Sequence, residues 1–259
     1  MPVGTSEAPI PHHHYTVAIF DSDAFNQALF FPRRDTSAAP AGAVDLMIDV
    51  GDAQVHVRRH AAPHARCTLL LFHGNGEVVA DYDRAADEFA AAGAALAIAD
   101  FRGYGSSTGT PTLRRVIEDA RAIAEAIGPH VVMGRSLGGA AAHELYARPI
   151  ASMLGVILES TFSDVAALIR RRGLEPPPLS DEDRATFDPL VKLPSGTLPL
   201  LVLHGDRDHL IAAREATTTL ATAGSTDKRL VLVPERGHND VSFSDVYWRA
   251  LAEFIARVA

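Results

Sequence analysis

Cysteine is all but missing from this 259-residue chain: Cys67 is the only one. No intrachain disulfide can form, so nothing in the chain calls for an oxidising compartment and a cytoplasmic location is expected. Cys67 precedes the apolar run Thr68 to Phe72 and reads as a small buried hydrophobe. Basic residues are also scarce, 24 Lys and Arg against 32 Asp and Glu, for a net charge of −8. A broad nucleic-acid or anionic-membrane surface needs the opposite balance, so no nucleic-acid partner is expected. No apolar run reaches the roughly 20 residues of a membrane span, so no integral membrane association is expected either. Met1-Pro2-Val3-Gly4-Thr5-Ser6-Glu7 lacks the basic and apolar regions of a secretory signal. The dinucleotide fingerprint Gly-x-Gly-x-x-Gly is missing where it would be needed, because His73-Gly74-Asn75-Gly76-Glu77 does not continue that pattern.

What the chain does have is an ordinary globular balance, 47% apolar and 22% charged, enough for one large α/β domain. Residues 1 to 43 read as an N-terminal arm with a short helix before Phe31-Pro32; His12-His13-His14 within it could bind metal by composition alone and reads instead as part of the arm. Val44 to Val50 and Gln54 to His60 form a hairpin signal through Gly51-Asp52. From Cys67 onward, unbroken apolar runs (Thr68 to Phe72, Ala94 to Ala99, Val131 to Met133, Val156 to Leu158, Leu198 to Leu203, Leu230 to Val233) alternate with helical patterns. That grammar predicts a mostly parallel sheet with helices on both faces. Helices are expected around Tyr82 to Ala90, from Leu113 to Ile127 before Gly128-Pro129, and after an N-cap at Ser244. The stretch at about 160–197, with a helical piece Phe162 to Arg172, leaves room for only a minimal cap, so the site should be open.

Three segments bring reactive residues to the carboxyl edge of such a sheet. The first is Val131-Val132-Met133-Gly134-Arg135-Ser136-Leu137-Gly138-Gly139, an apolar strand entering a Gly-x-Ser-x-Gly turn before the small-residue helix Ala140 to Leu145. A serine on so sharp a turn needs glycines where a Cβ would clash, and its hydroxyl then stands above the sheet. The second is His204-Gly205-Asp206-Arg207-Asp208, in which either aspartate could orient a histidine; Asp164, after the preceding strand, is a further candidate. The third is Gly237-His238-Asn239-Asp240, a histidine on a loop suited to a base that must reach two atoms.

Ser136, an aspartate and His238 stand in the order Ser, Asp, His. With His73-Gly74-Asn75 and Asp100-Phe101-Arg102-Gly103-Tyr104-Gly105 they make residues 44 to 258 resemble the α/β-hydrolase superfamily, and more narrowly its small serine hydrolases with little cap, the serine aminopeptidase-like branch. The resemblance implies an α/β-hydrolase fold over 44–259, Asp208 rather than Asp206 as the acid, and the backbone N–H groups of Asn75 and Leu137 as oxyanion donors. It further implies a serine hydrolase acting without cofactor or metal on a small-molecule ester or thioester. A small-amide or peptide hydrolase, or a non-catalytic ligand- or partner-binding module on the same fold, are the alternatives. Ser136 argues against epoxide or haloalkane hydrolysis, which uses a carboxylate nucleophile. The cysteine-rich anchor of depalmitoylating relatives has no counterpart before Cys67, and the proline common two or three residues past the acid is missing from His209-Leu210-Ile211-Ala212. His73 and His204 read as structural, Asp100 and Arg102 as an ion pair, and Arg170-Arg171-Arg172 as a solvated helix face.

Overall fold

The computed structural model describes residues 19–259; the His12-His13-His14 tract lies outside the described residues. The elements are α1 (Asp23–Leu29), β1 (Ala43–Asp49), β2 (Gln54–His60), β3 (Cys67–Phe72), α2 (Ala86–Ala91), β4 (Ala94–Ala99), α3 (Leu113–Ile127), β5 (Val131–Arg135) and α4 (Gly139–Ala147). They continue through β6 (Gly155–Glu159), α5 (Val165–Arg171), α6 (Asp181–Phe187), α7 (Pro189–Lys192), β7 (Leu200–Gly205), α8 (Arg214–Thr222), β8 (Lys228–Val233) and α9 (Asp245–Val258). One eight-stranded sheet has the order β1-β2-β4-β3-β5-β6-β7-β8. The hairpin β1–β2 and the β2–β4 pair are antiparallel, and every other pair is parallel.

The continuous apolar runs are explained by two cores, one on each face. Side chains alternate along a strand, so Leu70 and Phe72 of β3 and Val132 of β5 join one core with α1, α3 and α4. Leu69 and Leu71 of β3, Met133 of β5 and Leu201 of β7 join the other with Phe89 of α2 and Leu251, Phe254 and Ile255 of α9. A strand buried on both faces has no polar positions to spare, and each such side chain contributes about 1.5–3 kcal/mol over exposure. Cys67 is buried in the second core, and that burial pushes its thiol up to about 11. Among the described residues no helix is long and apolar enough to cross a membrane.

Helix ends follow the sequence signals. Thr112 accepts the Arg115 N–H at the start of α3 and Gly128, at φ +64°, ends it; Ser244 accepts the Val246 N–H at the start of α9. Around residue 82 the expected continuous helix is split into a 3₁₀ turn, Val79–Tyr82, and α2. At the start of that turn Asp81 accepts from the Val78 N–H and Asp100 from the Val79 N–H, which satisfies its first amides.

The expected Asp100–Arg102 ion pair does not form. Asp100 is fully buried at the end of β4, accepts Val79 N–H and pairs with His56 at 2.8 Å; these contacts and His73 outweigh burial and hold its carboxyl down at about 2. Arg102, two residues on, points the other way and makes a bidentate pair with Asp119 of α3 at 2.7 and 2.9 Å. Strand alternation would keep residues 100 and 102 on one face, but β4 ends at Ala99 and the turn closed by Tyr104 N–H on Phe101 O parts them.

The topology also fixes where a site can be. From β3 the chain steps to β4 on one side and then returns to β5 on the other, so the order reverses between β3 and β5 and a crevice opens above their carboxyl ends.

Breaking the buried Arg102–Asp119 pair from one side strands a charge, so Arg102→Ala should cost about 3–5 kcal/mol in urea unfolding. The double variant Arg102→Met, Asp119→Leu should cost clearly less, because it removes both charges.

Candidate active site

Ser136 follows β5 directly and holds φ +50°, a strained value for a residue with a side chain. A 3₁₀ turn, Ser136–Gly138, carries the chain into α4. The turn exists because its glycines leave room: a Cβ on Gly134 would lie 2.6 Å from Ala142 Cβ, and one on Gly138 would collide with the carbonyl oxygen of Phe72 at the end of β3. The elbow is thus seated on the end of the neighbouring strand. Any side chain at 138 would lift Ser136 off it.

His238 sits in the loop after β8, with Nε2 3.0 Å from Ser136 Oγ and Nδ1 2.8 Å from Asp208 Oδ2. The carboxylate can only accept, so Nδ1 carries the proton and Nε2 accepts the serine hydroxyl. Asp208 lies just past β7 with its side chain out of solvent. Burial by itself would raise its carboxyl, but hydrogen bonds from His204, His238 and the Ile211 N–H outweigh burial and hold it well below the usual carboxylate range. Leu210 and Ile211 both donate their N–H to Oδ1, at 2.9 and 2.8 Å. A proline at either position would remove one donor, which accounts for the loop's departure from the family pattern.

His204 is buried, donates from Nε2 to Ile211 O at 2.7 Å and lies 3.3 Å from Asp208 Oδ2. It braces the loop that carries the carboxylate. His73 donates from Nδ1 to Gly74 O. Asp206 joins the backbone ladder through its N–H to Val233 O, and Asp164 spends its carboxylate capping α5 at the Ala166 N–H.

Asn75 stands in the loop after β3. Its side chain faces away from the serine's turn toward the N-terminal segment, donating to Leu29 O and accepting from the Phe31 N–H and Tyr104 OH. Its backbone N–H makes no hydrogen bond among the described residues. Leu137 follows the serine in the 3₁₀ turn and is buried.

Two features escaped the sequence. Arg135, the variable residue before the serine, pairs with Glu77 and with Glu159 (Nε–Oε1 3.1 Å) and donates from Nη2 to His238 O and Asn239 Oδ1. Burial would lower its pKa, but the two carboxylates more than compensate and raise it. Arg171 and Arg172 do not lie on a solvated face; only Arg170 is exposed. They line a small cavity of about 40 Å³ together with Ser136, Leu137, Phe162 and Leu168. Three consecutive helical residues span about 200° of the circumference, so they cannot all face water. That spacing was the available signal.

Ser136, His238 and Asp208 meet at the carboxyl edge of a mostly parallel eight-stranded sheet, the arrangement of the α/β-hydrolase fold. Residues 63–179 match the family model described as serine aminopeptidase, S33. The protein bem46 of Schizosaccharomyces pombe is 29% identical over 208 residues, covering 75% of this chain and 69% of its own. The uncharacterized protein YfhR of Escherichia coli is 30% identical over 169 residues, covering 60% of this chain and 58% of its own. The chain therefore spans only part of these relatives' length. Among solved structures, the Pyrococcus furiosus esterase Pf2001 superposes with a TM-score of 0.71 at 18% identity, over 88% of this chain and 98% of that one. Est1E of Butyrivibrio proteoclasticus, solved with ferulic acid bound, gives 0.67 at 19% identity, over 82% and 98%. The chain has the α/β-hydrolase fold, and its residues 63–179 are similar to the serine aminopeptidase, S33 family.

An aspartate whose folded pKa is depressed stabilises the fold fully above its unfolded value, about 3.9, and loses that contribution as pH falls through the folded value. The wild-type urea midpoint should therefore decline below about pH 4. Asp208→Asn should start lower at neutral pH and decline less steeply, measured from pH 3 to 7.

Proposed function

We propose that the chain is a serine hydrolase that cleaves a carboxylic ester or thioester through an acyl-enzyme on Ser136. The observation that carries this reading is the unbroken chain of contacts from Ser136 Oγ to His238 at 3.0 Å and from His238 to Asp208 at 2.8 Å. In the first half-reaction His238 Nε2 takes the hydroxyl proton as Oγ bonds to the carbonyl carbon. The backbone N–H groups of Asn75 and Leu137 receive the negative charge on the carbonyl oxygen; donors of this kind are worth about 3–4 kcal/mol of barrier each. His238 then returns the proton to the departing alcohol or thiol as its bond to carbon breaks. Water repeats the attack, giving a proton to His238, which passes it to Ser136 Oγ as the acyl–oxygen bond breaks and the acid leaves, while Asp208 holds the imidazole tautomer and stabilises its charged form. No step requires a metal or cofactor.

Support for an ester over a peptide comes from the site's size and company. The cavity beside Ser136 is small, and two of the superposed structures, the Pyrococcus furiosus esterase Pf2001 and the esterase domain of a Rhodothermus marinus protein, are esterases by name. A cytoplasmic setting and a small-molecule partner belong to the same reading, in keeping with the lone buried cysteine.

A fluorophosphonate should label the purified chain stoichiometrically, with the adduct on Ser136 by mass spectrometry. Ser136→Ala and His238→Ala should abolish labelling, and Asp208→Asn should lower kcat on a short-chain ester by about 10³–10⁴. An unlabelled, folded wild-type chain would sink the proposal.

A further inference from the structure

The wall of the cavity at Ser136 carries more positive charge than the chain's own carboxylates answer. Leu168, Arg171 and Arg172 lie three and four residues apart on one face of α5 and its C-cap, and all three line that cavity. Arg171 pairs through Nη2 with Glu215 of α8, whose other oxygen accepts the Ser163 N–H. Its Nη1 is buried without a hydrogen-bond partner among the described residues, and so is Nε of Arg172. No carboxylate among the described residues pairs with Arg172; its guanidinium sits 5.5 Å over the ring of Phe31. Phe31 in turn donates its N–H to Asn75 Oδ1, so Arg172 is held against the loop that ends β3. The remaining charges that act on Arg171 are the guanidiniums of Arg214 and Arg172 and the carboxylates of Asp164 and Asp208. Asp164 and Asp208 are committed elsewhere, Asp164 to the cap of α5 and Asp208 to His238.

We infer that this cavity takes a substrate bearing an anionic oxygen group, a carboxylate or a phosphate, which Arg171 and Arg172 hold while the carbonyl lies over Ser136. The inference rests on the serine-hydrolase reading and names the class of ester within it. Its logic is that of desolvated donors: a guanidinium taken out of water with open N–H groups favours a ligand that supplies oxygen acceptors, and the planar fork matches carboxylate and phosphate alike. The apolar part of the lining, Leu137, Phe162, Leu168, Leu210 and Ile211, accepts the short carbon chain that joins the two ends of such a molecule. A neutral ester of the same length would leave the open donors unanswered.

The test compares two matched pairs of esters on the wild-type chain: para-nitrophenyl hydrogen glutarate against its neutral methyl ester, and butyryl glycerol 3-phosphate against butyryl glycerol. The first pair places a carboxylate on the acyl side and the second a phosphate on the alcohol side, so the favoured pair identifies the source of the anion. The charged member of at least one pair should have kcat/KM about tenfold or more above its neutral partner, the worth of one charge-assisted hydrogen bond. Arg172→Gln should collapse that ratio toward one, and Arg172→Lys should restore part of it. Ester turnover with no preference in either pair would overturn the inference and leave the hydrolase reading standing. If no ester is cleaved, calorimetric titration of the wild-type chain with glutarate and with inorganic phosphate decides the matter. Saturable binding that Arg172→Gln abolishes keeps the anion site and removes the hydrolase reading; no binding to the folded chain removes the anion site.

Discussion

The guanidinium of Arg135 is the tie on which the carboxyl edge of the sheet depends. It reaches Glu77 in the loop after β3, Glu159 at the end of β6, and the backbone and side chain of the loop bearing His238. Glu77 passes the constraint on, since it also accepts the Gly74 N–H and the Tyr82 hydroxyl, and Glu159 accepts the hydroxyl of Tyr247. A buried ion network of this sort contributes little net stability, because desolvation opposes the Coulomb attraction. Its contribution is geometric. A loop histidine fixed only by its own strand end would sample several positions, whereas here the carbonyl of His238 is held by the residue immediately before Ser136. The distance between His238 and Ser136 is thereby set by the last residue of β5 and its immediate successor.

Where the sequence could be read, the reason was local. Strands buried on both faces have to be apolar throughout, and so Leu69 to Phe72 and Val131 to Met133 announce themselves whatever surrounds them. The elbow is legible because its glycines answer collisions within a few residues or with the next strand, as at Gly138 against Phe72. The order of Ser136, Asp208 and His238 is legible because each follows an apolar run directly, and parallel topology delivers every such position to the same edge. Asp208 needed the family pattern to be separated from Asp206, since nothing in the local chain says which of two nearby carboxylates turns inward.

What could not be read was pairing between distant charges. Asp100 and Arg102 look like partners two residues apart, yet each is satisfied from elsewhere: Asp100 by His56 from β2, and Arg102 by Asp119 from α3. Arg135 gave no signal because the Gly-x-Ser-x-Gly motif leaves the position before its serine unspecified, and its partners lie on three other segments. Arg170 to Arg172 were misread by treating a charge run as a surface. A helix turns by about 100° per residue, so a triplet that begins in solvent must bring later members round toward the body of the protein.

The acid loop and the cavity are joined through one residue. Ile211 donates its N–H to Asp208, accepts the His204 proton on its carbonyl oxygen, and presents its side chain to the cavity beside Ser136. Glu215, in the first turn of the helix that follows, holds Arg171 and the Ser163 N–H, so the same segment also anchors the opposite wall. The shape of the cavity and the orientation of the carboxylate are therefore not independent. A side chain at 211 that fitted the cavity differently would tilt the peptide whose N–H and carbonyl position Asp208 and His204, and the tilt would pass along the 2.8 Å contact to His238. The cavity wall and the contacts among Ser136, His238 and Asp208 are coupled by a backbone that both share.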